Sequence, residues 1–89
     1  MGNNHFVYML KCKDDSLYTG YTIDIAQRLK MHEEGKGAKY TRGRGPFELV
    51  YEEQLLTKET AMQREYAIKQ LSRKEKLALI KRHKKEEQS

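Results

Sequence analysis

The stretch Phe6–Thr22, "FVYMLKCKDDSLYTGYT", decides how this chain folds. Apolar and polar residues alternate from His5 to Cys12, as a half-buried strand requires. Phe6, Tyr8, Leu10 and Cys12 share one face, and Val7, Met9 and Lys11 share the other. The polar "KDDS" reads as a turn and "LYTGYT" as a returning strand, so the whole stretch is a hairpin. Gly20 inside the second strand points to a bulge or to a close backbone approach. Tyr8, Tyr18 and Tyr21 are three of the chain's six tyrosines. Taken singly, each is an ordinary strand residue with an apolar body and a wet tip.

Working outward, Asp24 with Gln27 three residues on resembles a capping box, and Gly35 is a natural stop, which predicts a helix from Ile25 to Glu34. The segment "GKGAKYTRGRGP" holds four of the six glycines and the only proline, and is read as free of regular structure. It carries Lys36, Lys39, Arg42 and Arg44 and no acid. "FELVYEEQL" reads as a third strand with Phe47, Leu49 and Tyr51 on one side. Thr57 caps a second helix from Lys58. Ser72 and Glu75 form a capping box for a third, with Leu77 and Ile80 inward. The order is β-β-α-β-α-α, an α+β class with a small, mainly antiparallel three-stranded sheet flanked by helices.

A chain of 89 residues makes one domain, read here as residues 1–82 followed by a charged tail, 83–89, expected to fray. It is 37% hydrophobic and 35% charged, with a mean hydropathy of −0.96, yet its apolar residues are grouped periodically rather than diluted. Stability on the order of 5 kcal/mol suits such a domain. The lone Cys12 excludes an internal disulfide framework and points to a reducing compartment. No apolar run approaches membrane-spanning length and no secretory signal is visible, so a cytoplasmic location is expected and a membrane partner is not. The net charge of +5 favours a polyanionic partner, and by itself does not distinguish DNA, RNA, a membrane surface or an acidic protein, so a protein partner stays open. Cys12 with His5, His32 and His83 matches no structural zinc spacing.

Helical periodicity then places polar residues where a core belongs. Ile25, Arg28, Leu29 and His32 form one stripe, so Arg28 and His32 turn towards the sheet. Ala61, Met62, Glu65, Ile68 and Lys69 place Glu65 on the apolar side of the second helix. A buried carboxylate needs a cation or a metal, and Arg28 is the protein candidate. One reading is an Arg28–Glu65 ion pair that only fixes two helices. The other is convergence, because Tyr8, Tyr18, Arg28, His32 and Glu65 approach one interior from two strands and two helices. Phenol, guanidinium, imidazole and carboxylate suffice to cut a phosphodiester with one metal ion. Arg holds phosphate oxygens, a lone Glu suits a largely hydrated Mg²⁺, and a tyrosine beside both can help deprotonate water.

The chain resembles the GIY-YIG nuclease superfamily, and especially its small stand-alone bacterial members. The first signature stands here as Phe6-Val7-Tyr8 and the second as Tyr18-Thr19-Gly20. The family arginine matches Arg28 in "DIAQRLKMH", and the metal-binding glutamate matches Glu65 in "AMQREYAIK". The resemblance covers roughly residues 5–80. It implies a three-stranded sheet flanked by helices, a single Mg²⁺ or Mn²⁺ on Glu65, and hydrolysis of a DNA phosphodiester, with DNA favoured over RNA as the nucleic-acid partner. It further implies Tyr8 as general base, Tyr18 orienting water or phosphate, Arg28 stabilising the phosphate, and His32 in a supporting acid/base or positioning role. Tyr21 departs from the Lys that repair-type relatives carry after the second signature. The late asparagine of many relatives has no counterpart, since the only asparagines are Asn3 and Asn4. The alternative is a nucleic-acid-binding module with weak or no cutting, in which Lys36, Lys39, Arg42 and Arg44 contact phosphates and Tyr40 stacks on a base.

Overall fold

The computed structural model describes residues 4–88. The hairpin forms as the alternation requires: strand β1 (His5–Lys11) pairs antiparallel with β2 (Leu17–Thr22), and the turn closes through Cys12 and Ser16, with Asp15 in the left-handed region at φ 68°. Strand β3 (Glu48–Leu55) pairs antiparallel with the other edge of β1, so the sheet order is β2-β1-β3. The β1–β2 register runs unbroken through Tyr8 opposite Gly20, so Gly20 marks no bulge. The irregularity lies in β3 instead. Met9 faces Tyr51 and Leu10 faces Leu49, which leaves Val50 as the extra residue.

That extra residue corrects the expectation that Phe47, Leu49 and Tyr51 share a face. One inserted residue reverses side-chain parity along a strand. Phe47 lies against His32 on one face of the sheet, whereas Tyr51 joins Val7, Met9 and Val50 on the other. The bulge thus gives both faces a share of β3.

Helix α1 (Ile25–Glu33) begins where Asp24 accepts from the Gln27 N–H at 3.1 Å, and Gly35 follows it at φ 77°. It covers the face carrying Tyr8, with His32 as its one buried residue. Helices α2 (Lys58–Lys69) and α3 (Arg73–Gln88) cover the opposite face, where Ala61, Ile68 and Ile80 close the apolar core over Val7 and Met9. Both predicted caps form: Thr57 with Thr60, and Ser72 with Glu75.

Two expected core residues do not enter it. Met62 is 42% exposed and Leu77 45% exposed. Helix α3 is rotated so that His83 sits on the Tyr51 ring, 4.9 Å between centroids. Its inward stripe therefore runs through Leu79, Ile80 and His83, and Leu77 is left at the margin. The helix continues beyond His83 through Gln88. The glycine-rich segment, expected to lack regular structure, contains one short 3₁₀ turn at Lys39–Thr41, which a run of three residues permits despite flanking glycines.

Candidate active site

The sheet face under α1 is built around a chain of side-chain contacts. Tyr8, on the central strand and 1% exposed, meets His32 Nε2 through its hydroxyl at 2.8 Å. The imidazole, also 1% exposed, reaches Thr41 Oγ1 with Nδ1 at 2.8 Å. Thr41 in turn donates its hydroxyl proton to the Ala38 carbonyl at 2.8 Å.

Two glycines make room for this chain. A Cβ on Gly20 would lie 2.5 Å from the Tyr8 hydroxyl oxygen, and one on Gly37 would strike the His32 ring, 2.8 Å from Cε1. The close backbone approach read from Gly20 is therefore the Tyr8 ring crossing β2. Phe47 closes the far side of His32, ring centroids 5.9 Å apart.

Burial pushes the Tyr8 phenol up to about 12, against the opposing pull of the Arg28 guanidinium. An acidified tyrosine is thus not what these protein groups alone produce. Burial, and then the Arg28 charge, hold His32 below its ordinary value. Both shifts favour the neutral phenol and the neutral imidazole, so the pair is uncharged near pH 7.

Arg28 stands beside this pair. Its interactions with the hydroxyls of Tyr8 and then Tyr18 raise the guanidinium above its usual value. Its Nε is buried and makes no hydrogen bond. No Arg28–Glu65 ion pair is present among the described residues, which corrects that expectation. Glu65 bridges Lys69 one turn along α2 at 3.3 Å, and only its field reaches Tyr8. Lys69 satisfies the carboxylate locally, so no long reach to α1 is needed. The glutamate side chain is 14% exposed. Among the described residues no three His, Cys, Asp or Glu side chains gather as a ligand cluster. A single carboxylate suits a hard cation that keeps most of its waters, and would not suit zinc.

Tyr18 joins the cluster to the basic loop. Its ring centroid lies 5.4 Å from that of His32 and 6.0 Å from that of Tyr40, the latter stacked at 22°. Arg44 lies 4.4 Å over the Tyr40 ring, donates to the Tyr40 carbonyl and pairs with Asp14. Tyr40 and Arg44 are therefore occupied within the protein. Lys36, Lys39 and Arg42 are exposed, with no ion pair among the described residues.

The structure thus brings Tyr8, Tyr18, Arg28 and His32 together and leaves Glu65 in electrostatic reach. Sequence reasoning missed Thr41, Gly37 and Phe47 as parts of this cluster. Thr41 and Gly37 sit in a segment without periodicity, so no spacing rule pairs them with a helical histidine. Alternation groups Phe47 with Tyr51, because the bulge between them carries no sequence mark.

A family model described as the GIY-YIG catalytic domain matches residues 4–78. UPF0213 protein OB0043 of Oceanobacillus iheyensis is 62% identical over 80 residues, covering 90% of this chain and 93% of that protein. UPF0213 protein YazA of Bacillus subtilis is 55% identical over 86 residues, covering 94% and 87%. Among solved structures, the solution NMR structure of UPF0213 protein BH0048 from Bacillus halodurans matches with a TM-score of 0.58 at 57% identity, covering 86% of this chain and 82% of that one. The solution NMR structure of EF2693 from E. faecalis gives 0.62 at 40% identity, covering 91% and 88%.

Proposed function

The chain belongs to the GIY-YIG family, and from that premise we propose that it is a divalent-metal-dependent endonuclease hydrolysing DNA phosphodiester bonds, directed by DNA structure or only weakly by sequence. One observation carries the reading: the buried Tyr8–His32 hydrogen bond lies beside an arginine with a spare buried donor. A purely structural arginine has little reason to keep Nε unpaired.

The chemistry runs through this chain's own groups. Arg28 binds a non-bridging phosphate oxygen, and its fixed charge offsets the charge that grows there in the transition state. The attacking water gives a proton to Tyr8 Oη while the Tyr8 proton passes to His32 Nε2. The new oxygen–phosphorus bond forms as the bond to the departing sugar oxygen breaks, and solvent reprotonates that oxygen. Coupling the two proton movements avoids a free phenolate, which a phenol near 12 would resist. Tyr18, against both Tyr8 and His32, orients the water or the phosphate. Glu65 would hold Mg²⁺ or Mn²⁺, which when bound supplies charge stabilisation at the phosphate and lowers the proton affinity of its water.

Lys36, Lys39 and Arg42 are the groups left to hold the DNA backbone, with Arg44 and Tyr40 shaping the loop that presents them. Purified protein incubated with branched, nicked and linear DNA in Mg²⁺ or Mn²⁺ tests the reading. Cutting lost in Glu65→Ala and Arg28→Ala is the expected result. Cutting that survives both assigns the activity to a contaminant.

The Lys69 bridge on Glu65 favours a second reading, a nucleic-acid-binding module without efficient cutting, because a cation already neutralises the carboxylate. Salt-dependent DNA binding with no Mn²⁺ uptake in the presence of DNA would select it.

A further inference from the structure

We propose that Thr41 is a positioning residue that fixes His32 in the tautomer protonated at Nδ1, and so keeps Nε2 bare to receive the Tyr8 proton. The argument is a count of protons. A threonine hydroxyl carries one, and that of Thr41 is committed to the Ala38 carbonyl at 2.8 Å. The contact between Thr41 Oγ1 and His32 Nδ1, also 2.8 Å, must then have the imidazole as donor. In a neutral ring the other nitrogen is unprotonated, so at the 2.8 Å contact with Tyr8 the phenol donates.

The direction of the whole chain, from Tyr8 through His32 and Thr41 to a backbone carbonyl, is set at its far end. The carbonyl can only accept, and every hydrogen bond upstream is polarised to match. Thr41 is 1% exposed and lies within the 3₁₀ turn between Lys39 and Arg42. The loop proposed to hold the DNA backbone therefore also supplies the residue that orients His32, the acceptor of the Tyr8 proton.

The catalytic consequence rests on the nuclease reading above; the tautomer does not, and the two fail separately. The test is long-range ¹H–¹⁵N correlation of the imidazole nitrogens in ¹⁵N-histidine-labelled protein at neutral pH. Wild type should show a pyrrole-type Nδ1 and a pyridine-type Nε2 for His32. Thr41→Val is close in shape but removes the acceptor. A buried N–H without a partner is costly, so the ring should shift towards the Nε2–H form, with Thr41→Ser restoring the wild-type pattern.

A wild-type ring protonated at Nε2 overturns the proposal without any variant being needed. So does a folded Thr41→Val protein with an unchanged tautomer. In cleavage assays Thr41→Val should lower kcat by about 10–100-fold, as removal of a histidine's outer partner does at metal sites, with KM unchanged because Thr41 is buried beneath the surface that would meet substrate. The expected tautomers in a protein that cuts nothing would uphold Thr41 and discard the nuclease.

Discussion

Two polar clusters occupy opposite faces of the same small sheet, and each contains a tyrosine, an arginine and a histidine. On the face under α2 and α3, Tyr51 donates to Glu53 at 2.6 Å, Arg64 donates to the same oxygen at 2.8 Å, and His83 packs on the Tyr51 ring. On the face under α1, Tyr8, Arg28 and His32 meet, and among the described residues no carboxylate is in hydrogen-bonding contact with them. The first cluster is closed: the charges of Arg64 and Glu53 cancel, and the Tyr51 hydroxyl and Arg64 Nε both donate to the Glu53 carboxylate. The second is uncancelled, with Arg28 holding a surplus donor and a surplus positive charge. An arginine–glutamate pair that ties helices to the sheet does exist, but it is Arg64–Glu53 rather than Arg28–Glu65. Saturation marks the structural cluster, and unspent hydrogen-bonding capacity marks the candidate for chemistry.

Replacing the two arginines should separate these roles. Arg28→Ala should reduce cleavage by about 10²–10³-fold, the range for removal of one transition-state donor, while urea denaturation changes little. A large loss of stability with cleavage intact would reverse the assignment of the faces. Gly20→Ala should disturb the α1 face alone, costing about 1–3 kcal/mol by overpacking against the Tyr8 ring and removing cleavage with it. A neutral Gly20→Ala would mean that the ring does not lie over β2.

Arg64→Ala should show the complementary pattern. The pair is 37% and 33% exposed, so solvent screening limits the loss to about 1–2 kcal/mol in urea denaturation, with cleavage per folded molecule unaltered. A fall in cleavage without a fall in stability would show that the closed cluster also serves the reaction.

Acid should weaken the two faces in different windows. His32 is held below its ordinary 6.5, so the unfolded chain takes up its proton first. Stability contributed by this face is full above about 6.5 and falls as pH drops from there towards the lowered folded value. Arg28, Tyr8, Tyr18, Thr41 and Phe47 surround the ring, and none is an acid that would reward protonation. Burial pushes Glu53 up, but Tyr51 and Arg64 outweigh it and hold the carboxyl below its ordinary 4.5. That contribution persists above about 4.5 and is lost only as pH falls through the lower folded value. Thermal unfolding at stepped pH should show both windows, and His32→Gln should erase the upper one alone.

The smallest expected effect concerns the loop. Arg42→Ala should lower the slope of log affinity against log salt by about 0.9, the value of one released phosphate contact on duplex DNA. Arg44→Ala should leave the slope nearly unchanged and act through the loop's shape, because Arg44 is already bound to Asp14 and Tyr40.

Much of this architecture can be read from residues. Alternation fixes β1 and β2, Asp24, Thr57 and Ser72 start the helices, and the spacing from Arg28 to His32 turns both towards the sheet. Each of these is a local rule acting within one turn or one pleat. What escapes such rules is set by contacts distant in sequence. The Val50 bulge depends on how β3 meets β1, and the rotation of α3 on the His83–Tyr51 contact. Thr41 reaches His32 only because a loop folds back over the helix that precedes it. Arg28 and Glu65 look like partners by charge, whereas Glu65 meets Lys69 along its own helix and Arg28 turns to the hydroxyls of Tyr8 and Tyr18.

The ring stack of Tyr18 on Tyr40 has an optical consequence. The chain contains no tryptophan, so its ultraviolet emission comes from tyrosine alone. One member of the stack sits on the hairpin and the other on the cationic loop, 6.0 Å between ring centroids. Displacement of the loop by a bound strand would part them and change the emission of the unlabelled protein. The molecule carries its own reporter for loop engagement, readable in a stopped-flow mixing experiment without a dye.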